Sequence, residues 1–188
     1  DESSVNIQCF HHHADTFADM VIVIPTTQTL LAQAQRLAAK HESQDGLRVR
    51  IVPADELFNE FSSGTPDVNA YRRYLKMLYD RAETEADMPK YLLLFGDALW
   101  DNRMNTSSLK SYSPDNFLLA YESENSFSKT DSYADDGFFA LLDDGEGVHS
   151  GSGMSDKYDI GVGRFPVRNV VEAKAMVDKT IAYMENKN

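Results

Sequence analysis

Two stretches of this chain, Met20 to Ile24 and Tyr91 to Phe95, are apolar at every position rather than at every second one. A strand of that kind has to be covered on both faces, which is the situation of interior strands in a parallel sheet sandwiched between helix layers. The second stretch lies within Lys90-Tyr91-Leu92-Leu93-Leu94-Phe95-Gly96-Asp97, which stops at a glycine and a carboxylate and leads into a long polar loop. In open α/β sheets the functional edge is the one where the strands end. Gly96 and Asp97, with Trp100 and Asp101 just beyond them, are therefore the candidate residues of a cleft or binding loop.

The remaining pattern fills in the layers. Leu30, Leu31, Ala34, Leu37 and Ala38 recur at helical spacing, with Thr26 or Thr27 as candidate cap and Gly46 as the stop. Leu47 to Pro53 alternates apolar and basic residues, as a strand nearer the sheet edge does. Ala54 to Phe61 predicts a short helix and Ser62 to Pro66 a turn. Asp67 then caps a longer helix that buries Tyr71, Tyr74, Leu75, Leu78, Tyr79 and Ala82. The order strand, helix, strand, helix, strand implies right-handed crossovers and a parallel sheet of about four to six strands.

From Asp97 to Asp131 only the patch Phe117 to Tyr121 is apolar, and a loop of this length in a compact domain is usually functional. Asp136-Gly137 and Asp144-Gly145 each follow an apolar run, which predicts a small β-hairpin appended to the sheet. Asp159 to Pro166 predicts one more strand, and Asn169 caps a last helix with Val170, Ala173, Val177, Ile181 and Met184 on one face. The expected fold class is α/β, a three-layer domain with a mainly parallel central sheet and that appended hairpin. Residues 1–18 lack periodicity and read as a leader or linker from a preceding region, with the α/β unit spanning 19–188.

Composition narrows the function. A chain of 188 residues with 42% hydrophobic content can build one ordinary core. Its formal net charge of −12 excludes nucleic acid and an anionic membrane surface as partners. Both fully apolar runs are far shorter than the roughly 20 residues of a membrane span. Cys9 is the only cysteine, so no internal disulfide forms. His11, His12 and His13 resemble a metal tract, but consecutive side chains on an extended segment alternate faces and cannot all meet one ion.

Asp135, Asp136, Asp143, Asp144, Glu146, Asp156 and Asp159 set carboxylates on adjacent turns. Calcium accepts about six to eight oxygens in flexible geometry, so Asp143, Asp144, Glu146 and Asp159 are candidate Ca²⁺ ligands. The competing reading is that Asp is simply the preferred turn residue. Gly161-Val162-Gly163 is not a dinucleotide fingerprint, because Pro166 stands where its third glycine would be. Nucleophilic catalysis needs a Ser or Cys beside a base. Cys9 lies in the leader, His41 at a helix end and His149 in a Gly/Ser-rich loop, so no complete active site is legible.

Leu92 to Asp97 with Trp100-Asp101-Asn102-Arg103, then Ser132 to Phe139, Leu142 to Gly147, Asp159 to Val167 and Glu172 to Lys179, resemble in that order the gingipain family of cysteine peptidases. The resemblance implies a caspase-like unit of two α/β subdomains whose catalytic His and Cys both lie in the second, after a helix similar to Asn169 to Asn188. The chain is then the first subdomain, without a catalytic residue and inactive by itself. The resemblance also implies calcium near the strand Asp159 to Arg164, held by the acidic residue five positions before the arginine, here Asp159. A second acidic position of the family falls on Ser155, next to Asp156.

It further implies thiolate attack on a peptide carbonyl, protein or peptide substrates, no organic cofactor, a second peptidase subdomain in the same polypeptide, and a secreted or outer-membrane-attached bacterial location. The motifs are most similar to the sortase-type branch that serves type IX secretion, which removes C-terminal signals from cargo and replaces them with an anchoring group. The reading from another class is a non-catalytic module that presents the loop 97–131 to a protein or glycan partner. A flavodoxin-like site is disfavoured, because Pro25-Thr26-Thr27 offers no carboxylate at the first strand's end.

Overall fold

The apolar runs do become interior strands. The structure is a computed structural model describing residues 11–123, 125, 127–147 and 156–186. Strands β1 (Met20–Ile24), β2 (Val49–Pro53), β3 (Tyr91–Phe95) and β4 (Gly161–Phe165) form one sheet in the order β2-β1-β3-β4. Every pairing is parallel, with Met20 opposite Val49 and Tyr91, and Phe95 opposite Phe165. β1 is buried along its whole length, and β3 from its second residue onward. The helices are α1 (Leu31–Asp45), α2 (Ala54–Phe61), α3 (Val68–Asp80) and α4 (Val170–Met184).

Alternation of side chains along the strands makes two cores. Val21, Val23, Leu92 and Leu94 face one way and pack with Leu57 of α2 and with Tyr71, Tyr74, Leu75 and Leu78 of α3. Ile22, Ile24, Leu93 and Phe95 face the other way and pack with Ala34 and Leu37 of α1 and Ala173 and Val177 of α4. Each fully buried large side chain of this kind contributes ~1.5–3 kcal/mol. β1 leads over one face to β2, and β2 leads back over the other to β3, so the chain changes direction between β1 and β3. Their carboxyl ends flank the crevice that such a switch opens.

Local chemistry sets the element ends. Asp67 caps α3 by accepting from the Asn69 N–H at 2.9 Å. Asn169 caps α4 by accepting from the Glu172 N–H at 3.0 Å, and Glu172 accepts in return from the Arg168 N–H at 2.8 Å. Gly46 ends α1 at φ 68°, a left-handed position suited to glycine. Neither Thr26 nor Thr27 caps α1: Leu30 holds the cap position without a side-chain bond, and the Thr27 N–H donates instead to the Asp115 carbonyl. Tyr79 is half-buried, and Ala82 lies past the end of α3.

The appended hairpin is not formed. Asp135 accepts from the Gly137 N–H at 2.7 Å and opens a 3-10 helix, Asp136–Ala140. Phe138, Phe139, Ala140 and Leu142 enter the α2/α3 core as a plug rather than a ladder. Among the described residues the only pairing outside the sheet is one antiparallel bridge, Glu122 with Ala134. Asp-Gly signals a tight turn, and a capped 3-10 turn meets it as well as a hairpin does when the following apolar run has a core to fill.

At the amino edge of the sheet Asp19 is 4% exposed. It accepts from the Arg48 N–H at 2.8 Å, Arg48 Nε at 2.7 Å and Lys90 Nζ at 2.8 Å. The Arg48 guanidinium holds its carboxyl well below the usual carboxylate range, against the opposing effect of burial, with Lys90 adding to the shift.

Candidate functional site

The carboxyl edge is built on the end of β3. Gly96 is buried, and a Cβ there would stand 3.0 Å from Pro25 Cγ and 3.1 Å from Leu118 Cγ, so only glycine lets β1's exit and the loop close over the strand. Asp97 then joins three segments. Its N–H donates to the Val167 carbonyl at 3.1 Å, and its carbonyl accepts from the Leu118 N–H at 2.9 Å. Its carboxylate accepts from the Ala98 N–H at 2.9 Å and from Arg168 Nε at 2.5 Å. The same hydrogen bond raises the pKa of Arg168.

Arg164, on β4, is the second anchor. Its guanidinium makes a bidentate pair with Asp136, Nε and Nη2 each at 2.7 Å from a carboxylate oxygen. The same group donates to the carbonyls of Gly96 at 3.1 Å and Leu119 at 3.0 Å. One side chain, 12% exposed, thus ties β4 to the end of β3, to the long loop and to the 3-10 plug.

Leu118 and Leu119 of the loop are buried in the α2/α3 core. Above them lies a cavity of about 490 Å³ lined by Thr26, Phe58, Pro66, Arg103, Phe117 and Leu119, among others. It sits at the β1/β3 switch point and is of the size that holds part of a peptide or small ligand. Asp101, which precedes the cavity-lining Asn102, accepts from the Thr106 hydroxyl at 2.6 Å and the Thr106 N–H at 2.7 Å, which lowers its pKa. Burial, with the Asp101 charge adding, raises the pKa of Glu122 nearby. Trp100 is 70% exposed, so it does not pin the loop to the domain and is free to meet a partner.

Of the residues picked from sequence, Gly96, Asp97, Trp100 and Asp101 all fall on this edge, the first two as framework and Trp100 as open surface. The calcium candidates do not converge. Asp159 accepts from the Leu142 N–H at 2.7 Å, Asp143 from the Tyr79 hydroxyl at 3.2 Å, and Glu146 from the N–H groups of Asp143 at 3.3 Å and Lys157 at 3.2 Å. Asp144 is 95% exposed beside Lys76. Among the described residues no three His, Cys, Asp or Glu side chains are grouped to hold a metal ion. Ser155, Cys9 and His149 lie outside the described residues.

His41 pairs with Asp45 at 2.7 Å on the opposite, amino edge, bordering a cavity of about 450 Å³ whose lining holds no Ser or Cys. Sequence reasoning named Asp136 only as a turn carboxylate and passed over Arg164 and Arg168 as anchors. The available signal was Arg164 itself, a lone charge inside the strand Gly161 to Phe165.

No helix among the described residues is long and apolar enough to cross a membrane. None of the curated proteins matches the chain. A solved structure, the crystal structure of dimeric latent PorU from Porphyromonas gingivalis, matches with a TM-score of 0.74 and 38% sequence identity. That match covers 92% of this chain and 16% of the PorU chain, so this chain spans a small part of the length of that protein. The family model for peptidase family C25 matches residues 13–188, the whole α/β unit and the strand-end framework with it. The chain belongs to peptidase family C25, the gingipain family, and is a gingipain-type domain similar to part of PorU.

Proposed function

We propose that this chain is the first α/β subdomain of a cysteine endopeptidase and that its carboxyl edge forms one wall of the substrate cleft. The observation that carries this reading is the likeness to PorU at 38% identity over 92% of the chain, joined to an edge that is rigidly framed yet presents an exposed Trp100 on the same loop whose Asn102 and Arg103 line a cavity. The nucleophilic cysteine and its histidine belong to a second subdomain of the same polypeptide. There a thiolate attacks the peptide carbonyl of a protein substrate and the C-terminal part leaves as the amine. Asp97 and Arg168 hold the loop in register with β4 and α4, and Arg164 holds it in register with the plug.

The finer reading is a sortase role in type IX secretion, outside the cytoplasm or at the outer membrane. C-terminal signals of cargo proteins are cut away, and an anchoring amine takes the acyl group. Expression of the full-length polypeptide with a cargo bearing its C-terminal signal tests both levels. Cleavage and transfer by the full-length protein, and none by residues 1–188 alone, are the expected results. Peptide cleavage by residues 1–188 alone would overturn the division of labour, and hydrolysis without transfer would leave a peptidase that is not a sortase.

A further inference from the structure

The residues ahead of β1 turn through a 3-10 helix, His12–Ala14, against α2. The N–H groups of His12 and His13 donate to the two oxygens of Glu60, each at 2.9 Å. The His12 ring stands edge-on to Tyr74, centroids 5.7 Å apart. Its Nε2 is 2.6 Å from Glu56 Oε2 and its Nδ1 is 2.9 Å from Asp15 Oδ2. An ionised carboxylate can only accept, so each ring nitrogen has to donate. A neutral imidazole has one N–H and would turn a lone pair on the other carboxylate; the imidazolium satisfies both.

The surrounding charges do not replace it. Arg50 Nη1 pairs with Asp15 Oδ1 at 2.8 Å, and the Tyr74 hydroxyl donates to Asp15 Oδ2 at 2.8 Å. Arg81 donates to the carbonyls of His13 at 2.6 Å and Asp15 at 3.2 Å. Glu56, 15% exposed, has His12 as its ion-pair partner among the described residues. Loss of one ring proton therefore turns a lone pair on one of the two carboxylates, either Glu56 or the Asp15 Oδ2 that then keeps only the Tyr74 hydroxyl.

We propose that His12 is a proton-held latch that fastens the segment ahead of β1 to α2 and α3 while its ring is charged, and releases it when the ring is neutral. Burial opposes the charge on the ring, but the hydrogen bonds and charges of Asp15 and Glu56 outweigh it and raise its pKa. A raised histidine pKa places the full fastening below the free value of about 6.5 and its loss as pH rises through the docked value. None of the carboxyl-edge residues takes part, so the latch and the peptidase reading stand or fall separately.

The test is a histidine ring ¹⁵N titration of the protein from about pH 5 to 9, with amide exchange of His12 and His13 corrected for base catalysis. The expected result is a doubly protonated His12 ring that titrates above the free value, with at least a tenfold loss of His12 and His13 amide protection at the same midpoint. Glu56→Gln should lower that midpoint. His12→Gln should remove the protection at every pH while protection in β1 and β3 persists. A neutral His12 tautomer at neutral pH, a midpoint at or below the free value, or protection that ignores pH would each overturn the latch.

Discussion

Removing the guanidinium at position 164 tests how the carboxyl edge is held. Arg164→Met keeps the length and most of the stem but leaves Asp136, 29% exposed, without its bidentate partner, and strips a donor from the carbonyls of Gly96 and Leu119. Breaking a fully buried ion pair from one side costs about 3–5 kcal/mol. Here water can reach Asp136 and rehydrate the two carbonyls, so the loss should be about 2–4 kcal/mol. For a domain of this length that corresponds to a fall in Tm of about 5–15 °C. Urea denaturation should show the lower midpoint with an unchanged slope. Asp136→Asn, which retains one accepting oxygen, should cost about half as much, and Arg164→Met with Asp136→Leu should recover part of the loss. A cost below about 1 kcal/mol for Arg164→Met would refute the clamp.

At Asp19, Asn substitution should cost about 1–3 kcal/mol near neutral pH, because the amide cannot match a charge held by Arg48 and Lys90. The Asp19 pKa is depressed in the folded state, so its contribution is complete above the unfolded value of about 3.9 and fades as pH falls through the folded one. The difference between wild type and Asp19→Asn should therefore shrink only in acid below about pH 4; a constant difference there would refute the assignment. Gly96→Ala should cost about 1–3 kcal/mol through its contacts with Pro25 and Leu118, whereas Gly163→Ala, with nothing within 4 Å of the added methyl, should stay within about 0.5 kcal/mol. Equal effects in chemical denaturation would contradict the close approach at Gly96.

Periodicity carries what is local, and that much of the fold was legible. Met20 to Ile24 and Tyr91 to Phe95 could only be interior strands, and the stripe Tyr71, Tyr74, Leu75 and Leu78 could only be a packed helix face. Asp67 and Asn169 announce helix starts because a cap acts within three residues of itself. The Phe138 to Leu142 segment was misread because the same Asp-Gly chemistry opens a 3-10 turn, and the choice depends on a core supplied by Tyr71 and Leu57 far away in sequence. The edge itself was located from Gly96 and Asp97, but its anchors were not. Arg164 meets Asp136, Gly96 and Leu119, and Arg168 meets Asp97, across separations of 28 to 71 residues that no window of sequence spans.

Trp100 offers the most direct test of the proposal that this edge faces substrate. At 70% exposure it adds little to the fold, yet an open tryptophan on a loop that lines a cavity is the kind of residue on which binding energy concentrates. The measurement is kcat/KM of the full-length protein and its Trp100→Ala variant on one peptide substrate, with Tm measured alongside. The account expects a fall of about tenfold or more, equivalent to about 1.4 kcal/mol of transition-state binding, with Tm within about 1 °C of wild type. An unchanged kcat/KM in the folded variant would contradict it.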